Sequence, residues 1–356
     1  MSSRALARHY RYSAALHSPA MRASVTAGAA LAGWHYGRGR GGWWRHGNGG
    51  YGWVGPLFWP FAYFDIYDYA LWGPRVGAPF WYYGYDDIYA GLFGPYDYRG
   101  LSGYLPPRDS SGGPDRLSLL CGEDSREIAG LPIDLIAQAI EPTEVQRAAL
   151  DDLANASVTS AQKIKAACPS SIALTASGRL ASMQQRIEAM IAGVATVQPP
   201  LEKLYGLLND EQKARLNAVA EDQERRTERR RSRSLARPCE VTQSSNLQWP
   251  AEEIETRLHP TEAQRGKLTA LQDASARAAE MLATSCKPDE AATPTARLAA
   301  TGKRLDVMLD AVKQVRSALD GFYATLTDEQ KAQFEAIGPR RTSVADRADR
   351  RRYGRW

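Results

Sequence analysis

The chain is 356 residues long, 44% hydrophobic and 24% charged, with a net charge of +5. The charge is unevenly placed: residues 1–115 carry +3, 116–222 carry −4, 223–238 carry +5, 239–338 carry −4 and 339–356 carry +5. A nucleic-acid-binding domain carries its positive charge on a folded face, so two acidic blocks flanked by basic segments count against that class, and no nucleic-acid partner is expected.

Residues 1–33 read as a possible export signal, with Arg4, Arg8 and Arg11 as a basic start and a short apolar stretch over 23–32; Met21 is an alternative start. Residues 34–115 form a low-complexity arm rich in Gly, Trp and Tyr. Seven of the nine Trp and twelve of the seventeen Tyr fall between Trp34 and Tyr104, without a sustained strand or helix period. This composition predicts a flexible, partly collapsed arm. The alternative is contact with a membrane surface through residues 34–104, since Trp and Tyr favour the headgroup layer. Pro56, Pro60, Asp65 and Asp68 disfavour a spanning helix over Trp53–Trp72.

The second half says the same thing twice. Cys121, Pro132, Thr143, Gln146, Leu150, Cys168, Arg179, Leu180, Met190, Tyr205 and Gln212 recur 118 residues later as Cys239, Pro250, Thr261, Gln264, Leu268, Cys286, Arg297, Leu298, Met308, Tyr323 and Gln330. A tandem duplication sets the domain count. Module 1 covers 116–222, an Arg-rich linker 223–238, module 2 covers 239–338 and a basic tail 339–356. The fold class is all-α, two tandem elongated helical modules behind the arm.

Each module reads as four helices. Pro132 and Pro250 suit the first turn of a short helix ending at Ile140 or Leu258, because proline lacks only an N–H that this turn leaves unpaired. Thr143 and Thr261 then cap a second helix, with Gln146 and Gln264 three residues on. This is a capping box, in which the hydroxyl takes the third N–H and the amide reaches back to the cap. That helix presents Leu150, Leu153 and Ile164, or Leu268, Leu271 and Leu282, and ends near Cys168 or Cys286.

The third helix carries the longest pattern. Leu180, Met183, Ile187, Met190, Val194, Val197, Leu201, Leu204 and Leu208 alternate three- and four-residue steps, as do Leu298, Thr301, Leu305, Met308, Val312, Val315, Leu319, Phe322 and Leu326. This is a heptad seam for antiparallel packing, roughly 43 Å long. Pro199-Pro200 interrupts the first copy where the second has Ser317-Ala318, which predicts a kink near Val197 in module 1 only. Met183, Met190 and Met308 fit the seam; near a concave flank they would instead offer the adaptable surface of a promiscuous binder.

Each seam runs into a second box: Leu208-Asn209-Asp210-Glu211-Gln212 and Leu326-Thr327-Asp328-Glu329-Gln330. Asn209 and Thr327 cap, Gln212 and Gln330 close, and the paired acids suit the positive end of the helix dipole. That position explains the acids better than general acid–base work does. The last helix of module 1 is expected to dissolve into the Arg-rich run 224–233. No phosphate loop, GxSxG or HExxH occurs, so neither enzyme activity nor a cofactor is expected.

Cys121, Cys168, Cys239 and Cys286 are two duplicated pairs of equal spacing. Four cysteines allow three connectivities; duplication favours one bridge inside each copy, over four buried thiols. Zinc is disfavoured because no Cys-x-x-Cys occurs and only His259 among the five histidines lies in the repeats. Paired cysteines imply an oxidising compartment and hence an exported protein.

Leu326-Thr327-Asp328-Glu329-Gln330 is an LTxxQ motif in full. Leu208 to Gln212 is the same motif with Asn209 for Thr, and Pro142 and Pro260 take the Leu position in the earlier pair. Two such motifs per module resemble the LTxxQ-motif family, the Spy/CpxP-like periplasmic proteins of Gram-negative bacteria. The resemblance implies a small elongated four-helix module that pairs antiparallel into a cradle. It also implies ATP-independent chaperoning of unfolded envelope proteins, or a role as an envelope-stress adaptor. Departures are the fusion of two modules, the cysteines, and acidic repeats where a cradle would be basic. The metal sensing of some relatives finds no His and carboxylate cluster here.

The leading expectation is a periplasmic chaperone or stress adaptor binding unfolded or misfolded envelope proteins, with the modules able to pair as an intramolecular pseudo-dimer. The alternatives are a structural envelope protein anchored by the aromatic arm, hence membrane-associated, and a polyanion or nucleic-acid binder using the Arg-rich linker and tails.

Overall fold

The computed structural model describes residues 66–67, 69–71, 84–93, 131, 133–167, 173, 175–230, 249–285 and 291–337, with the side chains of 84–87, 90 and 222–230 excluded. Cys121, Cys168, Cys239, Cys286, Pro132, the export segment, linker residues 231–238 and the tail lie outside them. Among the described residues the regular structure is helical and no strand occurs.

The arm supplies a short helical stretch at 66–71, with 68 undescribed, and helix α1 (Gly84–Phe93). Module 1 follows as α2 (Ile133–Ile140), α3 (Glu144–Ala166), α4 (Ala176–Leu207) and α5 (Asp210–Arg230). Module 2 repeats the order as α6 (Ala251–Leu258), α7 (Glu262–Ser285), α8 (Pro294–Tyr323) and α9 (Asp328–Glu335). Within each module the long helices form a hairpin, α3 on α4 and α7 on α8, while the short first helix packs on the last.

The two hairpins join through α4 and α8, which run antiparallel. Ser177 bonds Asp320, Arg316 donates to Gln184 at 2.9 Å, Lys313 pairs with Glu188 at 3.8 Å, and Gln198 Nε2 donates to the Thr295 carbonyl at 3.1 Å. As the number rises along α4 it falls along α8, and Met190 and Met308 come near the middle of the crossing. Every position of both seams is buried. The heptad spacing holds them on one face of a 3.6-residue helix, and that face meets the partner module as well as its own hairpin.

The prolines do not end the third helix: Pro199 and Pro200 lie inside a continuous α4. The carbonyls left without an N–H are those four residues earlier, on Ala195 and Thr196; Ala195 is exposed and Thr196 half-buried, so both lie within reach of solvent and the helix need not break. Met183, Met190 and Met308 are core, as their place in the seam predicts, at most 1% exposed, so the alternative of an adaptable outer surface falls away. Helix α5 continues to Arg230 rather than ending before the Arg-rich run, as the high helix propensity of Arg, Glu and Gln allows.

The arm departs furthest from its reading. Ile66, Tyr67, Tyr69, Ala70, Leu71, Ile88, Tyr89, Leu92 and Phe93 are all buried and belong to the same apolar cluster as the seams. Helix α1 packs on α4, α7 and α8, so it touches both modules. These residues are therefore occupied by the chain's own core; the rest of 34–104, on which the membrane-surface reading also rests, lies outside the described residues.

Candidate functional site

Two kinds of polar constellation sit on this frame: a corner in each module where the motif residues meet, and a socket in each module that holds a piece of the arm.

The corner is built from four helix ends. In module 1 Thr143 Oγ1 accepts from the Gln146 N–H at 3.4 Å and Gln146 Oε1 accepts from the Thr143 N–H at 3.0 Å. Asn209 and Gln212 repeat this at 2.8 and 3.0 Å. The two boxes then lock together. The amide Nε2 of each glutamine lies 2.8 Å from the Oε1 of the other, and the same Nε2 atoms donate to the carbonyls of Leu207 and Ile140, at 2.8 Å each. Those carbonyls belong to the last turns of α4 and α2, which have no intrahelical partner. Gln146 and Gln212 are 6% and 4% exposed, and each uses both donors and both acceptors of its amide. A buried polar group that is fully satisfied fixes a geometry without a desolvation debt.

Module 2 copies the corner. Thr261 with Gln264 and Thr327 with Gln330 form the boxes. Gln264 donates to Gln330 Oε1 at 2.8 Å and to the Thr325 carbonyl at 2.7 Å, and Gln330 donates to Gln264 Oε1 and the Leu258 carbonyl. Leu208 and Leu326, each 5% exposed, pack under their corners. Glu141 and His259 turn the chain between the short helix and the first cap, with φ of 45° and 46°. His259 is thus a left-handed helix end in this structure. The spacing reveals each box, but the pairing of boxes across 66 residues has no local signal.

The sockets were not legible at all. Arg179 and Arg297 occupy the first turn of α4 and α8, where a cation opposes the helix dipole, yet they are 3% and 9% exposed. Arg179 Nε donates to the Gly91 carbonyl at 2.7 Å, Nη2 to the Leu92 carbonyl at 3.2 Å, and Nη1 pairs with Glu335 at 2.9 Å. Arg297 Nε donates to the Ala70 carbonyl at 2.8 Å, Nη2 to the Leu71 carbonyl at 3.0 Å, and Nη1 to the Ala292 carbonyl at 2.8 Å. Each arginine therefore collects the carbonyls that end a short arm helix. Nearby, Arg304 donates to the Tyr69 hydroxyl at 3.1 Å.

Phe93 extends the first socket into an aromatic group, 5.1 Å from Trp249 and 5.7 Å from Phe334 between ring centres. Phe334 in turn meets Phe322 and Tyr323. Tyr323 donates to Glu335, and burial together with that carboxylate pushes its phenol well above the usual value. The signal that could have found the sockets is an echo within the arm: Ala70-Leu71-Trp72-Gly73-Pro74 returns 21 residues later as Gly91-Leu92-Phe93-Gly94-Pro95. Arg179 and Arg297 bond equivalent positions of that echo.

Fold and corners together define an all-helical protein of two paired modules, each closed by interlocked glutamine capping boxes. The chain belongs to the LTXXQ motif family, whose model matches residues 128–220 and again residues 246–338. That family is associated with periplasmic stress-response proteins of the Spy/CpxP type, and its members are generally periplasmic. No curated protein and no solved structure matches the chain. None of the described helices is long and apolar enough to cross a membrane.

Proposed function

We propose that the chain acts in the periplasm as an ATP-independent holding chaperone or stress adaptor for unfolded envelope proteins. The observation that carries this reading is the antiparallel pairing of two LTXXQ modules through α4 and α8. It gives one chain the two-module platform that the family resemblance leads one to expect of a dimer. The partner is covalently tethered, at roughly millimolar effective concentration. The glutamine corners support the fold of that platform rather than contact a client, since their amides are fully used within the module. With the seam methionines buried, client contact falls to the outer, net acidic faces of the modules.

The test is light scattering of a reduced, aggregating model protein mixed with a stoichiometric amount of the full chain. Delayed aggregation without ATP is expected, weaker at physiological salt than at low salt, because charge–charge attraction between exposed groups is screened. Unchanged aggregation at both salt concentrations would leave the structural envelope role as the better reading. The periplasmic assignment also carries the cysteine pairing, Cys121 with Cys168 and Cys239 with Cys286. Non-reducing peptide mapping should recover those two links, and four free thiols would remove them together with the argument from an oxidising compartment.

A further inference from the structure

We infer that Glu335 is an acid-sensitive latch between the modules. Its carboxylate ties the last helix of module 2 to the start of the module 1 seam helix, and proton uptake releases that end of the crossing while the other end stays closed. The device stands apart from the holding activity proposed above, and no client enters its test.

Three groups from the two modules converge on this carboxylate. Glu335 Oε1 accepts from the Ala176 N–H at 2.7 Å and from the Tyr323 hydroxyl, and Oε2 pairs with Arg179 Nη1 at 2.9 Å. Ala176 is the first residue of α4, where an N–H has no intrahelical acceptor and the helix dipole favours a negative charge. A side chain of module 2 thus completes the start of a module 1 helix. The same Arg179 carries the arm carbonyls of Gly91 and Leu92, so both modules and the arm meet at this point. All three groups donate to Glu335. An N–H and a guanidinium have nothing to accept with. The Tyr323 oxygen could accept only by turning its own proton away, and burial together with the carboxylate holds that proton on. A protonated Glu335 would therefore bring a fourth donor into a cluster of donors and remove the charge with which buried Arg179 pairs. Taking one partner from a buried ion pair is strongly destabilising.

The equivalent end of the crossing lacks these groups. Asn217 stands in module 1 where module 2 has Glu335, and Pro294, which has no N–H, stands in module 2 where module 1 has Ala176. Arg297 Nη1 donates to the Ala292 carbonyl instead, and Tyr205, the equivalent of Tyr323, lies under Lys213. That end is joined by Gln198 Nε2 on the Thr295 carbonyl at 3.1 Å, a bond without a titratable group. Asp320 is a second carboxylate at the latch end, bonded to Ser177 and 3.7 Å from Arg316. It is exposed, so water can replace what it loses. Lys331, one turn before Glu335 on α9, pairs with Asp328 at 3.1 Å. The latch is closed while Glu335 is ionised, and its stabilisation is lost as the pH falls through the range, about 4, in which carboxyl groups take up protons.

The experiment follows hydrogen–deuterium exchange of the full chain by mass spectrometry from about pH 7 to about pH 3.5, each rate corrected for the intrinsic rate at that pH. Residues 176–183 of α4 are compared with their equivalents, 294–301 of α8. Acid should raise exchange at 176–183 and at 88–93 at least about tenfold, and at 294–301 by less than about twofold, because only the first end loses a buried ion pair. Glu335→Gln, which cannot ionise, should exchange fast at 176–183 already at neutral pH and show no acid response there. Asp320→Asn should keep the response. Equal loss of protection at both segments, no loss at either, a response that survives Glu335→Gln, or one removed by Asp320→Asn would each overturn the inference. So would a global loss of helix, read by far-UV circular dichroism, that precedes the local change. The comparison of the two segments in the unaltered chain needs no variant, so a Glu335→Gln chain that failed to fold would still leave the inference open to refutation.

Discussion

Module 1 crosses α3 and α4 with Ser160 against Gly193, where a Cβ on the glycine would lie 2.7 Å from Ser160 Oγ. Module 2 has Ala278 and Ala311 at the corresponding positions. Both residues of each pair are buried. The total bulk is nearly the same, but in module 2 it is shared evenly between the two helices instead of lying on one. Elsewhere the copies differ at wet positions, such as Pro199-Pro200 against Ser317-Ala318, and at some dry seam positions, such as Met183 against Thr301, whose hydroxyl donates to the Arg297 carbonyl at 2.9 Å. What stays identical is the set of polar groups that lock the frame, the four glutamines with Arg179 and Arg297, and most of the seam. The comparison separates what the frame requires from what it tolerates, because a dry position must be satisfied locally and a wet one need not be.

The largest expected effect of breaking this equivalence attaches to the proposed bridges. If Cys121 pairs with Cys168 and Cys239 with Cys286, reduction should cost about 4 kcal/mol in either module by the chain-entropy account, read as a fall in the urea midpoint. Equal losses would show that the copies share the clasp.

Next come the corners. Gln212→Ala strands the Asn209 N–H and half of the Gln146 amide and leaves the Ile140 carbonyl only its 3.3 Å bond from Arg215; it should cost about 3 kcal/mol, since each buried group left unpaired costs about 1–3 kcal/mol. Gln330→Ala should cost less, because Gln330 is half-buried while Gln212 is buried and water can reach the orphaned groups. Equal losses in the two variants would show that the exposure of the second corner has no energetic meaning.

A smaller effect is expected at the crossing. Gly193→Ala should cost about 1–3 kcal/mol by overpacking against Ser160 and Ile164, and Ser160→Ala on the same chain should recover most of it by recreating the pair found in module 2. A double variant no more stable than the single one would mean that the two crossings are not interchangeable. The smallest effect belongs to the caps themselves. Exchanging Asn209→Thr and Thr327→Asn should change the thermal midpoint little, about 0.5 kcal/mol or less, since both residues cap well.

The helices, their order, the seam and the four capping boxes were legible because each is a local pattern. A cap and its closing residue sit three apart, and a buried stripe repeats at the helical period. The Spy/CpxP-like resemblance followed from the same short motifs. The joining of Gln146 to Gln212 and of Gln264 to Gln330 was not legible, since nothing within either motif says which other helix end will meet it. Arg179 and Arg297 were visible as repeated residues without a purpose. Only the folded hairpins create the dry socket in which their charge is satisfied by carbonyls of a distant segment.

The arm shows the same division most sharply. Its composition, rich in Gly and Pro with no sustained period, determined that it could not build a core of its own. It left undecided whether Ile66, Leu71, Ile88, Leu92 and Phe93 would find someone else's. The tertiary structure decided that, because two apolar sockets of the right size, each with an arginine that reaches the arm's carbonyls, arise only once α4 and α8 have paired. Sequence determined the frame through interactions spanning three or four residues. Tertiary structure alone determined the occupants, through contacts between residues as far apart as Ala70 and Arg297.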